Sequence, residues 1–162
     1  MKQLSLKNIE DAKNRIDKYI NKTPILSSQI LNKFLGHDIY FKVECLQKTG
    51  AFKIRGAINS LAWLLENGNK PKHIIANSSG NHAQAVSLAS HLFGIPSTIY
   101  MPKNVSKVKA QATLSYGANI DYSENRIITD QKVLDKSTED GVYWIPPFNY
   151  KPVICGQGTA AY

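Results

Sequence analysis

Apolar residues Leu6, Ile9, Ala12, Ile16, Tyr19 and Ile20 recur at the three-and-four spacing of one helix face. With Ser5 standing where a cap belongs, the pattern predicts an amphipathic helix over about 6–20. Thr23-Pro24 stops it, because the residue before a proline is pushed out of helical geometry. A second short helix is expected from about Ser28 to Leu35, ending at Gly36, before the β-rich stretch 39-IYFKVE-44. From there the pattern alternates. Helical spacing covers 52–66, 80–93, 107–116 and 126–138, while 73-HIIA-76, 97-STIYM-101, 118-ANID-121 and 142-VYWI-145 predict short strands. Gly94, Gly117 and Gly141 each follow a predicted helix and precede a strand, where a left-handed residue closes a helix. The alternation implies βαβ units, hence an α/β fold with a parallel sheet of about four strands flanked by helices.

Composition narrows the function classes. With 162 residues, 43% apolar and 20% charged, the chain is long enough and apolar enough to bury a core. No apolar run approaches the ~20 residues that cross a bilayer, and Met1-Lys2-Gln3 opens a polar amphipathic segment, which predicts a cytoplasmic protein with no membrane partner. Cys45 and Cys155 have neither metal-ligand spacing nor a disulfide framework, so no metal is expected. The net charge of +8 raises the question of an anionic partner. The basic residues are scattered, however, and the densest groups, Lys70 with Lys72 and Lys103 with Lys107 and Lys109, have no interleaved aromatics. A solvated surface is expected, not a nucleic-acid interface.

Two segments carry candidate chemistry. The loop 77-NSSGNH-82 follows a predicted strand and opens a predicted helix, the place where open α/β sheets bind ligands. Its backbone N–H groups and the positive end of the helix favour an anion such as a carboxylate. Ser78 and Ser79 add hydroxyls, Gly80 allows close approach, and Asn81 both donates and accepts. The bland alternative is that Ser79 caps the helix and His82 lies on its polar surface. The second segment is 49-TGAFKIRGA-57. It places Lys53 at a helix start, where an exposed ammonium opposes the helix dipole. A desolvated lysine amine becomes a nucleophile, and its commonest cofactor use is an imine with pyridoxal phosphate. No G-x-G-x-x-G follows a predicted strand, which counts against a dinucleotide-binding module.

The run 44-ECLQKTGAFKIRGA-57 resembles the lysine signature of the serine/threonine dehydratase group within the tryptophan-synthase-β-like (fold type II) pyridoxal-phosphate enzymes. The stretches 78-SSGNHAQAVS-87, 102-PKNVSKVK-109, 145-IPPF-148 and 156-GQGT-159 are similar to the same group, in order. The resemblance implies that Lys53 binds the cofactor and moves the substrate α-proton, that Phe52 lies beside the cofactor ring, and that Asn81 contacts the cofactor hydroxyl. It implies that Ser78, Ser79, Gly80, Asn81 and His82 hold the substrate carboxylate. The implied reaction is β-elimination of L-threonine or L-serine to a 2-keto acid and ammonia. Ser79 resembles the second acid/base of serine racemases, whereas Phe148 resembles dehydratases. Arg126 aligns only poorly with a racemase arginine and is expected to be a solvated helix residue.

The resemblance also implies a division into residues 1–66, an incomplete first limb of a large domain; 67–148, a small α/β domain; and 149–162, a return segment in which GQGT begins a helix. Relatives of that group are about twice as long, and the glycine-rich phosphate loop would lie outside this chain. On that expectation the chain alone is inactive or impaired, or persists as a non-catalytic, ligand-binding remnant. Strand 39–44 and the apolar face of 52–66 would then be left bare, which predicts a homodimer or higher oligomer through those residues.

Overall fold

The computed structural model describes residues 4–162. Helix α1 runs over Leu6–Ile16, its start tied by the Ser5 N–H donating to Asn8 Oδ1. It is shorter than the apolar spacing predicts, because residues 17–19 tighten into a 3-10 turn. Strand β1 (Ile25–Ser27), which the pattern does not predict, is followed by α2 (Gln29–Leu35), whose Leu31 N–H bonds to Ser28 Oγ and whose left-handed Gly36 ends it. Strand β2 (Tyr40–Lys42) pairs antiparallel with β1; the stretch expected as one strand over 39–44 gives way to a 3-10 turn at Glu44–Leu46.

Helix α3 (Lys53–Glu66) leads to β3 (His73–Asn77), α4 (Asn81–Leu92), β4 (Ser97–Pro102), α5 (Lys107–Ser115), β5 (Asn119–Ser123), α6 (Arg126–Lys136) and β6 (Val142–Trp144). The four later strands form the parallel sheet that the alternating pattern predicts, in the order β5-β4-β3-β6. Gly94, Gly117 and Gly141 have φ of 67°, 90° and 77°, the left-handed closures expected of them. The order places β3 and β4 centrally, so Ile74, Ala76, Ile99 and Met101 are buried against α4 and α3, while Ile75 and Tyr100 point to the opposite face, where Val133 of α6 packs. No helix among the described residues is long and apolar enough to cross a membrane.

Helix α7 (Lys151–Gly158) closes the chain, and it corrects the expectation that GQGT begins a helix: these residues end one. Pro152, within its first turn, marks the true start, where a missing N–H costs nothing. The glycines serve packing. A Cβ on Gly156 would lie 2.4 Å from the Arg55 carbonyl oxygen and 2.8 Å from the Gly56 Cα. The two helix backbones therefore touch, and any side chain at Gly156 would have to force them apart.

That crossing overturns the expectation of a bare α3. Its apolar residues Ile54, Ala57, Ile58, Leu61 and Leu64 are buried inside this chain, against α1, α4 and α7. Arg55, also buried, donates to both oxygens of Glu44 at 2.8 Å and reaches Thr159 Oγ1 at 3.3 Å, so it pins the 44–46 turn and the end of α7 onto α3. Residues 40–42, by contrast, are exposed as expected.

Candidate active site

Two left-handed residues, Thr49 (φ 64°) and Gly50 (φ 67°), turn the chain into α3. A β-branched residue in that region is strained, and here the Thr49 hydroxyl is buried without a partner among the described residues. The turn delivers Lys53 as the first helical residue. Its side chain is half-buried; Nζ donates to the Pro147 carbonyl at 2.8 Å and lies 5.3 Å from the centre of the Phe52 ring. Loss of hydration on burial holds the amine below the usual ammonium range, raising the neutral, nucleophilic fraction.

The loop after β3 supplies the second set of candidate groups. Gly80, not Ser79, is the N-cap of α4, so the capping alternative for Ser79 does not hold. The Gly80 N–H bonds to Ser78 Oγ at 3.2 Å, a turn that holds the loop open ahead of the helix. Beside Gly80 there is room: a Cβ built there meets only Lys109 Nζ, at 3.9 Å. Ser78 and Ser79 are partly exposed and Asn81 exposed, all accessible to a ligand.

His82 is placed differently from its neighbours. Its imidazole is buried, with Nε2 2.9 Å from the Ile145 carbonyl oxygen. Facing a carbonyl, Nε2 carries the proton, which leaves Nδ1 a buried acceptor with no partner among the described residues. Burial is the main cause that pushes its pKa down to about 4, with the Lys53 charge adding to it, so the ring is neutral near pH 7. Only its backbone is left to face a ligand at the loop. The lysine and the histidine thus converge on one strap: Ile145 accepts from His82, and Pro147 accepts from Lys53 and, at 3.2 Å, from Gln157 Nε2. Arg126 stands apart, exposed at the start of α6 and paired with Asp130.

Sequence reasoning does not find the Pro147 carbonyl or Gln157. A backbone acceptor has no side-chain signature, and the partners lie 94 and 10 residues apart.

The family described as "Pyridoxal-phosphate dependent enzyme" matches residues 16–162. L-threo-3-hydroxyaspartate ammonia-lyase of Saccharomyces cerevisiae is 46% identical over 156 residues, covering 95% of this chain and 47% of the relative. Among solved structures, serine racemase from Dictyostelium discoideum superposes with a TM-score of 0.89 at 37% identity, covering 98% of this chain and 52% of that one. The processed form of threonine deaminase isoform 2 from Solanum lycopersicum superposes with a TM-score of 0.85 at 30% identity, covering 95% and 43%. The chain spans about half the length of the curated relatives it matches.

Proposed function

The chain belongs to the pyridoxal-phosphate dependent enzyme family, and from that premise we propose that it supplies the reactive lysine and the carboxylate cradle of an ammonia-lyase acting on L-threonine or L-serine. The observation that carries this reading is the half-buried Lys53 amine, held below its usual basicity beside the 78–82 loop.

The residues fit the cofactor. Lys53 offers an amine to its aldehyde, Phe52 a solvent-accessible ring beside that amine, and Asn81 an accessible amide. When bound, pyridoxal phosphate supplies a covalent attachment for an amine and a ring that accepts electrons as the bond to the substrate α-proton breaks. Lys53 Nζ is the group that takes that proton. The N–H groups of the loop and the hydroxyls of Ser78 and Ser79 hold the substrate carboxylate at the positive end of α4. The β-hydroxyl leaves, and hydrolysis gives a 2-keto acid and ammonia. A racemase reading has one observation in its favour: Gly80, not Ser79, caps α4, so capping does not occupy the Ser79 hydroxyl.

We read residues 1–66 and 149–162 as one limb, joined at the α3–α7 crossing, with 67–148 as the small domain. The activity of a whole relative also requires residues outside this span. We propose that copies of this chain associate through the part of the 39–44 stretch that is exposed, residues 40–42, cytoplasmic localisation being the setting.

Adding pyridoxal phosphate, reducing with borohydride and mapping the modified peptide tests the assignment. Label at Lys53, lost in Lys53→Ala with no label elsewhere, supports it; unchanged visible absorption in Lys53→Ala sinks it. Keto acid released from threonine or serine supports the lyase reading, and D-serine from L-serine without keto acid supports the racemase reading.

A further inference from the structure

Asn77 is the last residue of β3 and immediately precedes the candidate loop. Its side chain is buried, and both ends of its amide are engaged: Nδ2 donates to Asp130 Oδ1 of α6 at 2.6 Å, and Oδ1 accepts from Trp144 Nε1 of β6 at 3.0 Å. Asp130 is itself held by Arg126 Nε, at 2.8 Å and 3.0 Å to its two oxygens. The backbone ladder does not make this link. Pairing of β3 with β6 ends at Ile75 and Trp144, two residues short of Asn77, and pairing with β4 ends at Asn77 and Tyr100. Beyond that point, among the described residues, the main chain is tied to the sheet only by the Ser78 N–H to the Tyr100 carbonyl, at 3.2 Å. The Asn77 amide is therefore what links the end of β3 to β6 and α6.

The chemistry of the two partners selects the residue. An ionised carboxylate only accepts and an indole N–H only donates, so the group between them must offer one donor and one acceptor. A carboxamide does. An aspartate would satisfy Trp144 but set two carboxylates against each other, and an apolar residue would leave both partners unpaired.

We propose that Asn77 is a positioning residue that clamps the root of the 78–82 loop between α6 and β6 and so sets the direction in which Ser78, Ser79 and Asn81 face. Its consequence for catalysis rests on the cradle assigned above; its consequence for loop geometry does not.

The test swaps the pair. Amide exchange at Ser79, Gly80 and Asn81, compared with Ile74 and Ile99 in the sheet, is measured in Asn77→Asp and in the double variant N77D/D130N. Trp144 emission is followed in both on a Trp63→Phe background. In Asn77→Asp the loop amides exchange about tenfold faster at pH 7 while the sheet amides hold, and the Trp144 emission changes. In the swap, donor and acceptor are exchanged between α6 and β3, and loop exchange returns to within about twofold of the parent. Unchanged loop exchange in Asn77→Asp, acceleration of loop and sheet together, or a folded swap that fails to recover would each overturn the clamp. If Asn77→Asp does not fold, the swap decides alone: folded with parental loop exchange it supports the clamp, unfolded it overturns it. Borohydride labelling of Lys53 is read separately, so failure of the cofactor assignment is not mistaken for failure of the clamp.

Discussion

Helices α2 and α3 lie within one stretch of chain and have opposite fates. In α3 nearly every residue from Ile54 to Leu64 is buried; in α2 none is, and Ile30 and Phe34 are 85% and 83% exposed. The strands flanking α2 show the same, with Ile25, Leu26, Tyr40 and Phe41 all open to solvent. Residues 25–42 are thus locally well formed, with a cap, a left-handed stop and a register, yet bury none of their large apolar side chains within the described residues. Residues 54–62 are buried along their whole length. Local signals suffice to shape an element, and burial decides whether it contributes to stability.

The sharpest way to break that contrast is in α3. Removing the Arg55 guanidinium leaves Glu44 charged and nearly buried, so Arg55→Ala should lower unfolding stability by about 3–5 kcal/mol, read by urea denaturation. Little or no loss would mean that the turn at 44–46 is not anchored through α3. Next is the buried imidazole of α4. Its pKa is about 4 in the folded chain and ordinary when unfolded, so the unfolded state binds the extra proton between those values. Stability is complete above about pH 6.5 and declines by up to about 3 kcal/mol as the pH falls toward 4, a slope that His82→Gln should remove. Glu44 adds a lower window. Burial opposes its ionisation, but hydrogen bonds from Arg55 and Thr23 outweigh that and hold its pKa below the usual carboxylate value. Its contribution is present above about pH 4.5 and lost as the pH falls through the depressed value, and Glu44→Gln should flatten that part of the curve. The smallest effect is expected in the exposed strand β2 that follows α2. Tyr40→Lys with Phe41→Lys should change monomer stability by no more than about 0.5 kcal/mol while lowering the mass seen by light scattering at high concentration. A particle that is monomeric before the change would sink the proposed self-association.

Much of the architecture is legible in the sequence. The helices at 53–66 and 81–92 and the strands of the parallel sheet stand out by period, and three glycines punctuate them where the backbone turns left-handed. What escapes is short or non-local. Strand β1 has three residues, too few to show alternation, and the glycines of α7 suggest a helix start when they are contact points near its end. In the site, the lysine and the serine-rich loop are visible by residue type. The burial of His82 is not, since nothing local distinguishes a ring that faces solvent from one packed on the carbonyl of Ile145, 63 residues away. Asn77 gives no signal for the same reason: its partners lie 53 and 67 residues further along the chain.

The contact of Gly56 with Gly156 constrains how this protein can drift over evolutionary time. Most helix pairs meet through side chains that repack when one of them changes, which gives them slack. Here the two main chains abut, so there is nothing to adjust: a single added methyl at residue 156 has to displace the helix that begins with Lys53. Variation is then left to the loops, while the helix that carries Lys53 stays fixed at the crossing.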